Sequence, residues 1–393
     1  MSTPLATDSV NEGFTGLKEL KSGLPAAWYY DPKQYELELA QIWYRNWIYV
    51  GRSDEVKQPR SYMTFDLGDQ KLLLVRDDEG KLQAFHNTCR HRGAALCPEG
   101  HGSLRSPNLV CRYHAWVYDL EGALLRTSSK SVPSGFDPAD YSLYKVKVTE
   151  WRGFVFVALR DDSPPLAEFF DQKFNLLDRW PLEDLALAHV ATKIIQCNWK
   201  VFWENFSECL HCPAVHPKLS QLVPIFGRAL LRERDDPNWR AHADDQDPRY
   251  KGGLRAGALS WSMNGNITGD IFPGLTEQDR KAGQVYVTSI PTGFIVAHID
   301  YVRAVRVRPL GPEQTELRVE YLFAPEVLAK PNFNLSNVVD FADLVMGEDA
   351  DICELNQHGL RALPHRAGVL MPEEYRVQAF HEWLRAQLAR PRE

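Results

Sequence analysis

The chain has 393 residues, of which 44% are hydrophobic and 25% charged, with a formal net charge of −7 and a pI near 6.0. This acidic balance argues against binding to nucleic acid or to an anionic membrane surface, and the composition is typical of a globular protein with a substantial core. The N-terminal sequence MSTPLATDSVNEG has neither the basic nor the apolar region of a secretory signal, and no apolar run has membrane-spanning length. The seven cysteines are scattered, so we expect a reducing cytoplasm in which they are free to bind metal.

The first 160 residues predict an arm with one helix, followed by an all-β block. Residues 1–25 have the composition of a loose arm, and 31–47 have apolar residues at helical spacing after a capping Asp31. From residue 48 the hydrophobic period changes to two, and the turns DDEG (77–80) and DLEG (119–122) each separate two predicted strands. We therefore divide the chain into an N-terminal arm and helix that packs on the last region (1–47), a β domain (48–160) and a third region (161–393).

The third region mixes helices and strands. We expect a helix over 201–216 that is broken at Pro213, long antiparallel strands between 284 and 325, and helical spacing over the last 60 residues or so. The fold class predicted is therefore α+β, with a small all-β domain that precedes a mixed domain or is inserted into it.

Two loops of the β domain each contain one cysteine and one histidine, as Cys89-x-His91 and Cys111-x-x-His114. Thiolate and imidazole are donors that iron and zinc accept, and two short ligand pairs on neighbouring loops supply four of them. A zinc finger pairs Cys with Cys and His with His along the chain. One of each in both loops instead favours a [2Fe–2S] cluster, with one iron bound by the two cysteines and the other by the two histidines.

The residues around these ligands carry a family resemblance. The sequences C-x-H-R-G (89–93) and C-x-Y-H-x-W (111–116) resemble the Rieske domains of aromatic-ring-hydroxylating oxygenase large subunits. On the residues alone a structural zinc site stays open, because Cys97 and His101 lie between the loops and allow other four-ligand sets. The resemblance implies a Rieske [2Fe–2S] cluster bound by Cys89, His91, Cys111 and His114.

A second group of candidate ligands lies in NWKVFWENFSECLHCPAVHP (198–217). His211 and His216 are five residues apart and would point about 140° away from each other on a continuous helix, so a break at Pro213 is needed to bring them together. Two histidines and one carboxylate bind iron on one face and leave the opposite face open for O2 and substrate. This segment resembles the same family, and the match implies that His211 and His216 bind iron, that Asn205 lies near the metal and that Glu208 is a bridge rather than a ligand.

The third iron ligand is expected from GEDADICELNQHG (347–359), which resembles the family's distal segment, where an Asp precedes a helix with a Gln eight positions on. This match implies Asp349, with Gln357 as the marker, while Asp351 and Glu348 stay as rivals. The bridging acid is usually Asp in the family and is Glu208 here, as in the carnitine and glycine betaine branch. The remaining cysteines are expected to be buried apolar side chains: Cys197, Cys209, Cys212 and Cys353.

The resemblance covers nearly the whole chain and implies the terminal oxygenase component of a Rieske non-haem iron oxygenase. It implies an all-β Rieske domain and a helix-grip catalytic domain built on a curved antiparallel sheet, with a mononuclear Fe(II) that activates O2. It further implies a homotrimer in which electrons pass from His114 of one subunit through Glu208 to His211 of the next. NAD(P)H would act through a separate flavin or iron–sulfur reductase, with or without a ferredoxin, because no dinucleotide fingerprint is present.

The substrate is expected to be a quaternary or N-methylated amine that is N-demethylated, because the pattern resembles the glycine betaine, carnitine and choline monooxygenase branch. A trimethylammonium group is bound best by aromatic faces, and several rings are candidates: Phe202, Trp203, Phe206, Trp261, Tyr301 and Tyr321. Mono- or dioxygenation of a small aromatic acid is the alternative, since the same rings would stack on it. A non-catalytic Rieske electron carrier is the alternative of another class, and it would need only residues 48–160.

Overall fold

Most helices are short, and the two longest lie near the C-terminus. The computed structural model describes residues 13–170 and 172–391. Within these residues the α-helices are α1 (Pro32–Gln41), α2 (Leu166–Phe170), α3 (Trp199–Phe206), α4 (Cys212–Val215), α5 (Pro217–Leu222), α6 (Pro248–Lys251), α7 (Glu277–Ala282), α8 (Pro325–Leu328), α9 (Ser336–Gly359) and α10 (Tyr375–Leu388). Short 3₁₀ helices lie at Ala26–Tyr29, Trp43–Arg45, Ser53–Val56, Pro138–Tyr141, Gln172–Leu177, Phe226–Arg228, Glu233–Asp235, Trp239–His242 and Pro372–Glu374.

The strands of the described residues pair in antiparallel sheets. In chain order they are β1 (Lys21–Ser22), β2 (Ile48–Arg52), β3 (Ser61–Leu67), β4 (Gln70–Arg76), β5 (Leu82–His86), β6 (His101–Ser103), β7 (Asn108–Val110), β8 (Val117–Asp119), β9 (Leu124–Arg126), β10 (Lys147–Trp151), β11 (Phe154–Ala158), β12 (Ala186–Ile195), β13 (Gln284–Ser289), β14 (Gly293–His298), β15 (Val302–Gly311), β16 (Gln314–Phe323) and β17 (Val369–Leu370).

Three small sheets follow α1. Strands β5, β4, β3 and β6 form one sheet in that order, β7, β8 and β9 a second, and β10, β11 and β2 a third. The DDEG and DLEG turns connect β4 to β5 and β8 to β9 as predicted, and in both turns the first Asp accepts hydrogen bonds from backbone N–H groups two and four residues later. The first two sheets share a core that includes Phe85 and Tyr118 and also holds Cys89 and Cys111.

A five-stranded antiparallel sheet forms the centre of the second half. Its order is β12, β16, β15, β14, β13. Irregular register beside Leu187 in β12 and beside Pro309 in β15 bends the strands. Helices α3 and α9 pack against this sheet in one core, which contains Phe202 from α3, Cys353 from α9 and Phe294 from β14. The expected arrangement, a long helix held against a bent antiparallel sheet, is confirmed.

The N-terminal arm is not loose over its described part, which corrects the prediction. Strand β1 pairs with β17 through Lys21 and Leu370, and the Thr15 N–H donates to the Arg234 carbonyl oxygen. These partners are more than two hundred residues apart in sequence, so no local pattern indicates them. Residues 1–12 of the predicted arm lie outside the described residues.

Helix α1 begins as predicted, with the Asp31 carboxylate accepting a hydrogen bond from the Lys33 N–H. It ends at Gln41 instead of continuing to 47. The Asn46 side chain donates to the Ile42 carbonyl oxygen at 2.7 Å, and this carbonyl is the acceptor that the Asn46 backbone N–H would need if the helix continued.

The predicted helix over 201–216 is wrong in its continuity. Helix α3 ends at Phe206, where the Ser207 hydroxyl bonds back to the carbonyl oxygen four residues earlier, and α4 begins only at Cys212. Pro213 therefore does not break a helix but lies in the first turn of α4, where its missing N–H is tolerated. The histidines at 211 and 216 come to lie at the two ends of this short helix.

Candidate metal centres

The two Cys/His loops have the same backbone hydrogen bonds. In each loop the cysteine N–H donates to the carbonyl oxygen five residues later, and the residue four positions after the cysteine donates back to the cysteine carbonyl. That fourth residue has a positive φ in both loops, 78° at Gly93 and 52° at Ala115. Glycine adopts this conformation without steric cost, whereas alanine loses about 1–2 kcal/mol. The repeated turn explains why cysteine and histidine recur at nearly the same spacing.

The four predicted cluster ligands lie in these two loops, side by side. Cys89 and Cys111 are 3% and 2% exposed, and the Tyr118 hydroxyl lies 3.3 Å from the Cys89 Sγ. The imidazoles of His91 and His114 reach the surface, with ring centroids 4.6 Å apart. Two buried thiols and two surface imidazoles fit the donor set of a Rieske [2Fe–2S] cluster.

The other residues considered for a zinc site have different surroundings. His101 lies in β6, where its Nε2 is 3.1 Å from a carboxylate oxygen of Glu55. Cys97 is buried in the apolar core, and burial raises the pKa of its thiol to about 11. Neither Cys97 nor His101 lies in the turn that the two loops share, which disfavours the alternative four-ligand sets.

The second centre brings together His211, His216 and Asp349, whose candidate ligand atoms all lie within 4.8 Å of one another. The Asp349 Oδ1 lies 3.0 Å from the His216 Nε2 and 3.5 Å from the His211 Nε2. Asp349 lies in the middle of the 24-residue α9, so the expectation that it precedes a helix is wrong. The two histidines flank α4, which packs beside α9, and this packing makes the convergence.

Each histidine is oriented by a carboxylate on its other ring nitrogen. The His211 Nδ1 lies 2.5 Å from the Glu208 Oε1, and the His216 Nδ1 lies 2.8 Å from the Glu348 Oε2. An Nδ1–H that donates to a carboxylate leaves the lone pair of Nε2 available for a metal. The Asn205 Nδ2 donates to the Asp349 Oδ1 at 2.7 Å, so the carboxylate is also held in place.

His211 and Asp349 each favour the charged form of the other. Burial opposes the charged form of His211, but its contacts with the Asp349 and Glu208 carboxylates outweigh this and raise its pKa to about 9. Burial likewise opposes ionisation of Asp349, yet hydrogen bonds from the two imidazoles lower its pKa below the ordinary value. The site therefore favours an anionic carboxylate, the form of Asp349 that could bind a metal, and a metal at the His211 Nε2 would displace the proton that this pKa keeps there.

The other two candidates for the third ligand, Asp351 and Glu348, lie elsewhere. Asp351 is exposed, and Glu348 contacts the remote Nδ1 of His216 instead of lying between the two Nε2 atoms. Sequence reasoning missed this orienting role of Glu348. Its position beside Asp349 was the available signal.

A cavity of about 160 Å³ opens onto the three candidate ligands. Phe202, Phe206 and Trp261 line it as the sequence suggested, together with Phe294, whose ring stacks on Phe206 at 4.1 Å, and Tyr286. The other aromatic candidates do not line this cavity and are buried: Trp203, Tyr301 and Tyr321. Arg303 also lines the cavity, and no sequence pattern had indicated it.

Two of the remaining cysteines are bonded to each other. Cys209 and Cys212 are buried as predicted, but they form a disulfide that encloses His211. The expectation that the cysteines are free is therefore wrong for this pair, and the Cys-x-x-Cys spacing was the signal that could have indicated it. Cys197 and Cys353 are buried and free, as expected.

Comparison with known proteins identifies two family domains in the chain. Residues 175–390 match the model of the ring hydroxylating alpha subunit (catalytic domain), and residues 46–135 match the Rieske [2Fe-2S] domain. The first match overturns the alternative of a non-catalytic carrier, because it covers the half of the chain that a carrier would not need. In the part of the chain that the structure describes, no helix is long and apolar enough to cross a membrane.

Several relatives and solved structures match more than nine-tenths of this chain. The glycine betaine monooxygenase oxygenase subunit of Chromohalobacter salexigens is 29% identical, with 92% of this chain and 84% of the relative covered. The chloroplastic choline monooxygenase of Spinacia oleracea is 28% identical, covering 93% and 78%. The quaternary ammonium Rieske monooxygenase CntA in complex with L-carnitine superimposes with a TM-score of 0.69 at 21% identity, covering 94% and 96%. Naphthalene 1,2-dioxygenase from Rhodococcus sp. has a TM-score of 0.69 at 18% identity, covering 94% and 95%.

These matches agree with the geometry of the two centres and with the fold. The family's enzymes combine a Rieske [2Fe–2S] cluster with a mononuclear iron, and they use O2 together with electrons from a separate reductase. The chain belongs to the family of Rieske ring-hydroxylating oxygenase alpha subunits.

Proposed function

We propose that this chain is the terminal oxygenase that N-demethylates a small betaine-like quaternary or N-methylated amine. The observation that carries the proposal is the small cavity at the iron ligands, whose walls include the faces of Phe206, Phe294 and Trp261. Aromatic faces attract a trimethylammonium group, which has no N–H to donate, by roughly 0.5–2 kcal/mol per ring. The glycine betaine and choline monooxygenases among its relatives act on compounds with such a group, which supports the same assignment here.

Each candidate ligand has a role in this proposal. The cluster is held by Cys89, His91, Cys111 and His114, and the iron by His211, His216 and Asp349. When bound, these groups supply single electrons and O2 activation for hydroxylation of a C–H bond. Asn205 and Glu208 keep the iron-binding side chains in position through the bonds described above.

The overall reaction balances with two electrons from NAD(P)H. An N–CH3 group, O2, two electrons and two protons give N–CH2OH and water. The carbinolamine then loses its hydroxyl proton and breaks its C–N bond, whose electron pair stays on nitrogen, so that formaldehyde and the demethylated amine are released. The protein must therefore admit a methyl group to the side of His211, His216 and Asp349 that faces the cavity and must exclude bulk water from it, which a small and mainly apolar cavity does.

The proposal includes a homotrimer in which the cluster of one subunit serves the iron of the next. Glu208 lines both the iron cavity and a second cavity, of about 270 Å³, that also contains Glu204 and Glu374. The loops with the surface histidines carry exposed Arg92 and Arg112. Opposite charge on these two surfaces supports docking of one subunit's cluster loops against another's Glu208.

The domain limits 1–47, 48–160 and 161–393 and a cytoplasmic location are part of the same proposal. With these limits the cluster ligands lie in the second region and the iron ligands in the third, and a separate NAD(P)H-dependent reductase supplies the electrons.

A substrate panel tests the reaction class. Purified protein with a Rieske-type reductase and NADH should consume O2 with glycine betaine or a related betaine and release about one formaldehyde per O2, and iron analysis should give about three irons per chain. Uptake driven only by benzoate-like acids, with a phenol or cis-diol as product, would replace the proposal by aromatic-ring oxygenation.

Replacement of Glu208 tests the electron path between subunits. Glu208→Ala should keep both metal sites filled and allow fast reduction of the cluster, while its reoxidation by O2 with substrate becomes slow. Glu326→Ala, at an exposed position outside both cavities, is the control and should reoxidise normally. A normal single-turnover product yield in Glu208→Ala would remove the bridging role, and melting curves of both variants separate it from a loss of stability.

A further inference from the structure

Arg303 in β15 lines the iron cavity without a partner for its charge. In the described residues its guanidinium makes no ion pair, and its Nε is buried without a hydrogen-bond acceptor. The arginines on the other face of the same strand are paired, since Arg306 and Arg308 both bind Glu316. Arg303 is half-buried, and a partly desolvated cation without an anion is costly, so an unpaired arginine in a cavity wall needs a physical reason.

Hydrogen-bond donors near Arg303 also lack acceptors. The Trp261 Nε1 and the Tyr321 hydroxyl are buried with no partner in the described chain, and Tyr321 lies directly opposite Arg303 in the β15–β16 register. His298 lies two residues after Val296, the residue that pairs with Arg303 in the sheet. Both of its ring nitrogens lack a hydrogen-bond partner among the described residues. Burial and the Arg303 charge lower its pKa well below the ordinary value, so it is neutral. Of these groups only Trp261 lines the iron cavity. Buried donors are almost always satisfied, so the Trp261 Nε1–H and the Arg303 guanidinium both need an acceptor in that cavity.

The charged part and the aromatic part of the lining face the same small cavity. Arg303 and Trp261 share it with His211, His216 and Asp349, and the stacked rings of the cavity lie in the same lining. A substrate that fills about 160 Å³ can therefore touch the guanidinium with one end while its other end lies at the open face of the iron site.

We propose that Arg303 binds the carboxylate of the substrate, so that the enzyme takes zwitterionic amino acid betaines rather than choline-like amino alcohols. This inference rests on the proposed function for the cationic end of the substrate. The carboxylate pairs with the guanidinium and the N-methyl group lies against the rings beside the iron ligands. Choline would place a second cation in the cavity and leave Arg303 unpaired, so the same residue selects against it.

The test compares Arg303→Gln with Arg308→Gln, a control on the same strand whose side chain lies on the other face of the sheet. Arg303→Lys, which keeps the charge but not the fork of donors, is the second variant. Steady-state O2 uptake and formaldehyde release are measured with glycine betaine and with choline. Loss of one partner of a desolvated ion pair should raise the KM for glycine betaine at least thirtyfold in Arg303→Gln and less in Arg303→Lys.

The control and the wild-type protein set the reference values. Arg308→Gln should stay within about threefold of wild type in KM, and wild type should prefer glycine betaine to choline by at least tenfold in kcat/KM. Iron content, Rieske absorbance and melting temperature are recorded for every variant, so that a loss of folding is seen separately from a loss of binding.

An unchanged KM for glycine betaine in Arg303→Gln overturns the inference, as does a wild-type enzyme that prefers choline. If only an aromatic acid drives turnover, the proposed function fails. The carboxylate site then stands if the KM for that acid rises in Arg303→Gln, and falls with the proposed function if it does not.

Discussion

Replacing Glu38 with glutamine should destabilise the protein by about 4 kcal/mol at pH 7. Glu38 in α1 and Lys200 in α3 form an ion pair in which both side chains are 0% exposed. The Lys200 Nζ lies 2.7 Å from each carboxylate oxygen of Glu38, and the Trp199 indole N–H donates to the same carboxylate at 2.8 Å. The variant leaves the lysine buried beside a neutral amide. Removing only one partner of a buried ion pair lowers the free energy of unfolding more than replacing both partners does.

The magnitude follows from the protonation of Lys200. Burial lowers the pKa of Lys200 even with Glu38 beside it. Without the carboxylate the native lysine loses its proton, which at pH 7 costs about 1.36 kcal/mol for each unit up to its ordinary pKa near 10.4, or about 4.6 kcal/mol. This is an upper limit, and measured losses for broken buried pairs are about 3–5 kcal/mol.

Thermal unfolding checks this value. At about 2.1 cal/mol/K per residue, the 393-residue chain has an unfolding entropy near 0.8 kcal/mol/K, so a loss of about 4 kcal/mol lowers the Tm by about 5 °C. In the variant the unfolded lysine binds a proton that the native lysine does not. Its stability therefore rises with pH by up to about 1.36 kcal/mol per unit below pH 10, and the gap to wild type narrows between pH 7 and pH 9.

Glu36→Gln is the matched control, because Glu36 lies on the same helix at an exposed position. Its stability should stay within about 0.5 kcal/mol of wild type. A Glu38→Gln loss below 1 kcal/mol, or one that does not depend on pH, would refute the reasoning from a buried charge.

Three further outcomes are expected. Asp349→Ala should lose the mononuclear iron and all turnover but keep the Rieske absorbance, whereas Asp351→Ala should keep iron; the reverse result in iron analysis would make Asp351 the ligand. Thiol titration of the denatured, cluster-free and unreduced chain should count five thiols, since Cys209–Cys212 is a disulfide, and a count of seven would contradict that bond. Burial raises the pKa of Glu55, but contacts with His101 and Arg318 outweigh this effect and lower the pKa to about 2. Its stabilising effect is therefore complete above about pH 4.5 and lost toward pH 2, and acid titration should show Glu55→Gln less stable than wild type at pH 6 but equal to it near pH 2.

Local patterns were sufficient where the structure depends on neighbouring residues. The DDEG and DLEG hairpins and the start of α1 at Asp31 follow from turn and capping chemistry within four or five residues. The recurrence of cysteine and histidine at similar spacing also follows from local structure, since each of the two loops is one short turn. The end of α3 at Phe206 was missed, because Pro213 is the more visible signal and the bond that ends the helix comes from an ordinary serine.

Contacts between distant segments could not be predicted from local sequence patterns. Lys200 belongs to the N-W-K sequence, but its role depends on Glu38, more than 160 residues earlier, and on complete burial of both. Arg303 occupies a strand with three arginines, and only the tertiary structure separates the unpaired one from those bound to Glu316. Sequence shows which side chains carry charge, whereas the fold decides which charges remain unsatisfied.

The spacing of Asp349 and Gln357 has a structural reason in the pairing of α3 with α9. The Gln357 Oε1 accepts from the backbone N–H of Asn198, the residue that caps α3, and Asp349 accepts from Asn205 near the other end of α3. Eight residues of α9 span about 12 Å and the seven from Asn198 to Asn205 span about 10.5 Å, so two antiparallel helices are joined at both ends. A Gln one residue nearer to Asp349 would point about 100° away from the cap. Gln357 thus fixes the position of α3 along α9, and with it the position of Asn205 beside Asp349, the proposed iron ligand.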